Sequence, residues 1–278
     1  AEVEKDIRAE VFVPPGNVDS LLSFDFHSNV ILLGNKGVGK SIFVNVLHEA
    51  YLRNDELSVL ITPDELECDP ILEKRTLADR KSVAYGQMLK AIAGVIGAHS
   101  NENEMAVKEE LVALQKMAIA DGYSKADIIS KFSNFLAKVT PYGGKVAQSL
   151  LAEQNRNVGV NNLTEIVGGY LSDRGKTLWL FVDDIDAAVA KGAKGSFDYG
   201  ACWAIISAAI ELSQDISNLK CVVSVRSDIW HVMTKIQRHG EERRDKLGHI
   251  HELKFSEDEL RGIFNRRIEL AVDDAKVM

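Results

Sequence analysis

A run of consecutive residues, Gly34 to Ser41, has the residue types and the spacing that bind a polyphosphate. It reads GNKGVGKS, a complete match to the pattern G-x-x-x-x-G-K-S. Glycines let the chain turn tightly, so that backbone N–H groups point at phosphate oxygens. We expect Lys40 to contact the β- and γ-phosphates and Ser41 to ligate Mg²⁺. The predicted nucleotide-binding residues are Gly34, Asn35, Lys36, Gly37, Val38, Gly39, Lys40, Ser41 and Ile42.

A pair of acids forms the second candidate group. The segment LWLFVDD places Asp183 and Asp184 directly after an apolar run. Carboxylates at the end of a buried strand lie at the carboxyl edge of a parallel sheet, where ligands bind. We expect Asp183 to hold the Mg²⁺ shell through water and Asp184 to orient or deprotonate the attacking water. Asp186 is an alternative for that second role, and Asp184 and Asp186 also suit simple capping of the following turn.

An arginine ends the next apolar run, VVSVRSD. At the tip of a strand, Arg226 can reach a γ-phosphate and neutralise the charge that develops during its transfer. The alternative is that Ser227 caps the helix that follows and that Arg226 is a surface residue paired with an acid. The predicted catalytic residues are therefore Lys40, Asp183, Asp184 and Arg226, with Ser41 and Asp183 serving the metal.

Short apolar runs surround these motifs and predict the strands that position them. Each run is nearly continuous in hydrophobicity, as strands covered on both faces of a parallel sheet are. Helical patterns separate the runs, so we predict an α/β fold in which helices flank a parallel sheet. The predicted strands are Val30–Leu33, Leu57–Ile61, Leu178–Val182 and Cys221–Val225.

Apolar stripes at helical spacing predict three amphipathic helices, and we expect all three to pack against the core. One stripe begins at Ser124, one runs from Leu163 to Leu171, and one follows the S-x-x-E capping box at Ser256 and includes Leu260, Ile263, Phe264 and Ile268. Between the second and third strands, residues 63–176 read as a helical insertion or lid. Residues 1–62 and 177–278 would then form the core of the same domain.

The composition describes an ordinary globular chain. Of its 278 residues 46% are hydrophobic, and 33 basic against 41 acidic side chains give a net charge of −8. This acidity argues against a surface devoted to duplex nucleic acid. The longest apolar stretches are too short to cross a bilayer, and the widely spaced Cys68, Cys202 and Cys221 suit reduced thiols. We expect a cytoplasmic protein without a signal peptide, and the start at Ala1 favours a segment of a longer chain.

GNKGVGKS, LWLFVDD and VVSVRSD, in that order, resemble the P-loop ATPases that have an added strand between the phosphate loop and the acidic strand. This division includes the AAA+ and STAND proteins, and the chain looks most like the STAND-like and KAP-like bacterial ATPases. The resemblance covers residues 11–62 and 177–270. It also implies that residues 12–26 cover the nucleotide base. Where AAA+ proteins usually carry Asp-Glu, this chain has Asp183-Asp184.

The resemblance implies slow hydrolysis of ATP with Mg²⁺ and a switch between closed and assembled states, in signalling or antiphage defence. The implied partners are further copies of the chain, or an effector or sensor protein. The shorter acid at Asp184 favours slow turnover. Arginines that could act in cis or across a subunit interface are Arg238, Arg243, Arg244 and Arg261.

Other functions stay open. A GTPase is disfavoured because no N-K-x-D element follows a later strand, but a small-molecule kinase with a helical lid fits the motifs. A DNA-handling motor would use the basic cluster of Lys235, Arg238, Arg243, Arg244 and Lys246, which interleaved acids dilute. A scaffold that binds nucleotide without cutting it is a further alternative. His249 and His251 form an H-x-H pair that no other ligand pattern completes as a metal site.

Overall fold

A computed structural model describes residues 29–54, 56–63, 66–99, 160–189, 197–236 and 249–277. The strands are β1 (Val30–Gly34), β2 (Leu57–Ile61), β3 (Leu178–Val182), β4 (Leu219–Arg226) and β5 (His249–Glu252). The helices are α1 (Lys40–Arg53), α2 (Cys68–Leu72), α3 (Leu77–His99), α4 (Val160–Arg174), α5 (Ile185–Val189), α6 (Tyr199–Asp215), α7 (Ser227–His231) and α8 (Glu257–Val277), with a π-helical turn at Val232–Ile236. Within these ranges, no helix combines the length and apolar content that crossing a membrane requires.

All five strands are parallel, in the order β2-β3-β4-β1-β5. The predicted α/β fold with a parallel sheet is confirmed, and the four predicted strands are present. The fifth strand, β5, has the sequence HIHE and is paired with β1 at one edge of the sheet. Its residues are mostly exposed, so β5 lacks the continuous apolar run that revealed the other strands.

Alternate residues of the strands point to opposite faces, and helices cover both. On one face, Val30 and Leu32 pack with Phe43 and Leu47 of α1, and the ring of Tyr51 stacks on Trp179 with 4.4 Å between centroids. On the other face, the strands pack against α3 and α6. The buried residues there include Ile31, Leu180, Val223, Met88, Ile92 and Ile205.

The described ends of the predicted insertion belong to the helical layer of the sheet. Met88 and Ile92 of α3 share a buried cluster with the strands, and so do Leu163 and Val167 of α4. The apolar stripe predicted from Leu163 to Leu171 is therefore confirmed. The middle of the insertion, residues 100–159, lies outside the described residues together with the helix predicted at Ser124. The lid stays a prediction.

Helix α8 begins as predicted but does not pack as predicted. In its capping box, the carboxylate of Glu259 accepts from the backbone N–H and the hydroxyl of Ser256, at 2.6 and 2.8 Å. Its apolar stripe, however, is exposed: Leu260 by 53%, Phe264 by 64% and Ile268 by 48%. The prediction of core packing was wrong here. The chain makes its last described core contacts just before the helix, and periodicity specifies an apolar face without specifying its neighbour.

The free cysteines behave as core residues rather than reactive thiols. Cys202 and Cys221 are buried, and Cys68 is partly buried. Burial raises the pKa of all three thiols, that of Cys221 to about 12. A raised pKa disfavours the thiolate, which is the nucleophilic form. The structure therefore agrees with the expectation of reduced thiols.

The partly buried pair of His48 and Ser58 predicts a pH-dependent stability. Nδ1 of His48 lies 2.6 Å from Oγ of Ser58, and burial lowers the pKa of His48 from 6.5 against a smaller opposing effect of Glu49. His48 is therefore protonated more readily in the unfolded chain than in the folded chain. The free energy of unfolding should fall as pH is lowered below about 6.5.

Urea unfolding at several pH values between about 5 and 8, the range in which histidine titrates, would measure this change in the free energy of unfolding. His48→Asn keeps a polar atom near Nδ1 but does not titrate, so its stability should depend less on pH than that of the wild type. An identical pH dependence in the two proteins would contradict this role of His48.

Candidate functional site

The sheet order brings the three sequence motifs to one edge. Strand β4 lies between β1 and β3. The predicted phosphate loop (residues 34–41), Arg226 and the acids Asp183 and Asp184 therefore lie at the ends of three neighbouring strands. Gly34 and Arg226 are partners in the β1–β4 register. Neighbouring strands are ~4.8 Å apart, which puts the ends of β1 and β3 roughly 10 Å from each other. The motifs are far apart in the chain but lie at one edge of the sheet.

Glycine is required at three positions of the phosphate loop. Gly37 and Gly39 have φ values of +82° and +96°, a left-handed conformation that side chains rarely adopt. At Gly34 the reason is space, because a Cβ atom would lie 2.6 Å from Cγ1 of Val38. Helix α1 begins directly after Gly39, at Lys40. The loop therefore directs the helix N-terminus toward the mouth of the site.

Lys40 is buried at the mouth of this loop. Its Nζ donates to the carbonyl oxygens of Gly34 and Asn35, at 3.0 and 3.2 Å. Burial lowers the pKa of Lys40, and the carboxylates of Asp186 and Asp183 act in the opposite direction. The ammonium group is thus surrounded by oxygen atoms and acidic neighbours, in the place where the motif predicts a phosphate contact.

Asp183 has the character of a ligand for a hydrated cation. The residue is only 4% exposed, and its backbone N–H donates to the carbonyl of Ile61 at 2.9 Å. Its Oδ1 is buried and has no hydrogen-bond partner within the described residues. A buried carboxylate oxygen without a partner is costly, so a donor or a cation is expected there. Mg²⁺ with its water shell fits this oxygen, and Ser41, exposed in the first turn of α1, offers a second oxygen ligand.

The backbone at Asp184 is left-handed, with φ of +56°. Aspartate tolerates this conformation better than most residues, but it is uncommon outside glycine. The turn leads from β3 directly into α5, whose first turn contains Asp186. Burial raises the pKa of Asp184, as do the nearby Asp186 and Asp183, while Lys40 opposes them. A raised pKa brings a carboxyl group closer to the range in which it accepts protons near neutral pH.

Arg226 lies between two carboxylates. Its Nε and Nη2 donate to both oxygens of Asp228, at 3.1 and 2.7 Å. Its Nη1 donates to Asp186 at the longer distance of 3.4 Å. Helix α7 begins at Ser227, with no side-chain capping bond from Arg226. The prediction that Ser227 caps this helix was wrong, because Ser227 is the first helical residue and its Oγ has no hydrogen-bond partner within the described residues. Arg226 pairs with acids, as the second sequence alternative expected, and its contact with a γ-phosphate stays a prediction.

Sequence reasoning gave Asp228 no role. The signal was present in the run VRSD, where an acid follows the arginine at a spacing of two residues. That spacing does not by itself predict a contact, because side chains two residues apart share a face in a strand but point to nearly opposite sides of a helix. They meet here because the chain changes from β4 to α7 between them.

Several predicted candidates lie outside this edge or outside the described residues. The segment 12–26, Arg238, Arg243, Arg244 and Lys246 fall outside the described ranges, and Arg261 is on α8. The rings of His249 and His251 lie 6.3 Å apart on β5. In the described ranges, no group of three or more His, Cys, Asp or Glu side chains is placed to hold a metal ion.

A glycine-rich loop joins the first strand of the parallel sheet to its first helix, which is the strand–loop–helix arrangement of the P-loop motif. Searches against protein-family models and curated proteins found no match. Solved structures with a similar fold include the ORC1 protein of Aeropyrum pernix in complex with DNA, at 14% identity, TM-score 0.40, and 96% and 49% coverage of this chain and of that chain. The ORC2 protein of Aeropyrum pernix, solved as ADPNP-ADP complexes, has 12% identity, TM-score 0.36, and coverages of 96% and 51%.

VirB4 of Thermoanaerobacter pseudethanolicus has 14% identity, TM-score 0.33, and coverages of 86% and 80%. The chain spans about half the length of the two Aeropyrum pernix proteins. At TM-scores this low, a shared activity, ligand or partner does not follow from the likeness.

The space around Gly34 predicts a large effect of adding one methyl group. In Gly34→Ala the new Cβ meets Val38, so the loop must shift, and the free energy of unfolding should fall by about 1–3 kcal/mol, as for other overpacked sites. Gly86→Ala is the matched control, since a Cβ there meets nothing within 4 Å in the interior of α3. It should raise stability by about 0.5–1 kcal/mol. Chemical denaturation of both variants tests this, and equal effects would contradict it.

Proposed function

We propose that the chain is a Mg²⁺-dependent ATPase of the AAA+ and STAND division that acts as a nucleotide-dependent switch or assembly module. One observation carries the proposal: the glycine-rich loop with a buried lysine lies at the same sheet edge as a buried carboxylate oxygen that has no partner among the described residues. Lys40 matches a polyphosphate, and Asp183 matches the cation that accompanies it. The two halves of a nucleotide–metal site therefore occur together.

Binding would replace contacts that the site already makes. Phosphate oxygens would take the places of the Gly34 and Asn35 carbonyls as acceptors for Lys40. The backbone N–H groups of the loop and the N-terminus of α1 would donate to the same phosphates. Ser41 and Asp183 would hold Mg²⁺, directly and through water respectively. The bound metal supplies charge neutralisation to the β- and γ-phosphates.

Hydrolysis requires a group beside the γ-phosphate that orients or deprotonates the attacking water. Asp184 is our first candidate for orienting the attacking water, because it follows Asp183 and its pKa is raised toward that of a general base. Asp186 is the alternative, and its contact with Arg226 places it beside the residue proposed to sense the γ-phosphate. Aspartate is one methylene shorter than the glutamate usual at this position, which favours slow turnover.

The proposed biological output rests on the resemblance of the three motifs. It is a signalling or antiphage-defence switch that assembles with further copies of the chain or with an effector or sensor protein. A kinase would instead require a second substrate as acceptor, and a DNA-handling motor would bind nucleic acid with an affinity that falls steeply with salt. Release of phosphate from ATP without any acceptor favours the ATPase over the kinase.

Removing the lysine tests nucleotide binding. The affinity of Lys40→Ala for ATP should be lower than that of the wild type by at least about 100-fold, because a buried charge-assisted contact to two phosphates disappears. Lys254→Ala is the control, since Lys254 is exposed and pairs only with Glu252 among the described contacts. Binding of a fluorescent ATP analogue measures both variants. Wild-type affinity in Lys40→Ala would overturn the assignment of the phosphate loop.

Neutralising each acid separately tests hydrolysis. Asp184→Asn should reduce the rate of ATP hydrolysis by about 100-fold, as expected for loss of a general base, with little change in ATP affinity. Asp186→Asn should reduce it less if Asp184 is the base, and the reverse order would assign the role to Asp186. A wild type that binds ATP but releases no phosphate would support the scaffold and reject hydrolysis.

A further inference from the structure

We propose that Asp228 is a positioning residue, which holds the guanidinium of Arg226 so that the site distinguishes ATP from ADP. The inference rests on the proposed function, since it concerns the same nucleotide site. It adds a residue that the phosphate loop and the acid pair do not predict. Asp228 would act through Arg226 and would not itself touch the nucleotide.

The contacts of Arg226 are unequal. Asp228 accepts two hydrogen bonds, from Nε and Nη2, and the shorter measures 2.7 Å. Asp186 accepts one, from Nη1, at 3.4 Å. A two-point contact fixes the plane of a guanidinium, whereas one long bond does not. A γ-phosphate can therefore replace Asp186 as the partner of Nη1 while Asp228 keeps its hold.

Enough donors remain for a phosphate. A guanidinium has five N–H groups, and the three hydrogen bonds above use three of them. The register places Arg226 opposite Gly34, where the phosphate loop begins. With its Nε edge held by Asp228, the arginine can offer the remaining N–H groups to a phosphate without changing its rotamer. This geometry favours orientation by Asp228 over sequestration.

The helix that carries Asp228 is held in place by its buried residues. Asp228 lies in the first turn of α7, whose next two residues, Ile229 and Trp230, are buried. The ring of Trp230 lies 6.0 Å from that of Trp203 on α6. Burial alone would raise the pKa of Asp228, but the hydrogen bonds and charge of Arg226 outweigh it and lower the pKa. The pair therefore stays ionised at neutral pH.

An interaction of this kind contributes little to folding. The Asp228 side chain is 63% exposed, and exposed ion pairs have small effects on stability. If the contact served folding alone, its loss would change little in the nucleotide site. A change in nucleotide preference with unchanged stability is therefore the signature of a positioning role.

The experiment compares ATP with ADP affinity in a double-mutant cycle of the full chain. Fluorescent analogues of ATP and ADP are titrated into wild type, Asp228→Asn, Arg226→Ala and the double variant. Asp228→Asn should lower the preference for ATP over ADP by about tenfold, or 1.4 kcal/mol, through weaker ATP binding at unchanged ADP binding. In the Arg226→Ala background the same change should have no further effect.

Two further variants complete the design. Asp228→Glu should restore part of the preference, because it keeps the carboxylate. Glu49→Gln, which removes an exposed acid paired with Arg53 on α1, should leave the preference unchanged. Thermal unfolding should give the same midpoint for Asp228→Asn as for the wild type.

Distinct results would overturn the inference. An unchanged or increased preference for ATP in Asp228→Asn contradicts positioning, and an increase would indicate sequestration instead. Equal effects of Asp228→Asn with and without Arg226 contradict an action through the arginine. Failure of the proposed function looks different, because the wild type itself would then bind neither nucleotide, and that result would overturn both.

Discussion

Charge buried at the edge of an apolar sheet is the constraint on which the rest of this structure depends. Lys40 and Asp183 are both nearly inaccessible, and burying a charged group is costly unless it has partners. The lysine is stabilised by two carbonyl oxygens of its own loop and by nearby carboxylates. The aspartate keeps a buried oxygen without a partner in the described chain. In the proposed function, a ligand that carries both phosphate and a cation would complete this site.

The fold meets this constraint through the order of its strands. With β4 placed between β1 and β3, the phosphate loop and the acids come from different strands but share one edge. The backbone is left-handed within two of the motifs, at Gly37 and Gly39 after β1 and at Asp184 after β3. These uncommon conformations occur beside the proposed site, where tightly packed strands on either side can maintain them.

Much of this arrangement could be predicted from the sequence, for reasons that also explain the omissions. Strands β1 to β4 and the phosphate loop carry strong local signals, since continuous apolar runs and required glycines leave few alternatives. Strand β5 and the packing of α8 depend on neighbours that are distant in sequence, so HIHE was not predicted as a strand and the exposed Phe264 was expected in the core. Asp228 was missed because its contact with Arg226 arises only at the junction of β4 and α7.

Part of the negative charge of the chain lies close to Lys40 and Arg226. The net charge of −8 includes the carboxylates that surround Lys40 and Arg226. These acids pair with Arg226 and lie near Lys40, and a phosphate would compete with Asp186 for the N–H group at Nη1 of Arg226. In the proposed function, a monophosphate or a neutral ligand would compete poorly, whereas a triphosphate with Mg²⁺ would bring both negative charge to Lys40 and Arg226 and a cation to Asp183. Selectivity for a metal-bound triphosphate would then follow from opposite charges arranged at one sheet edge, with no need for a basic surface.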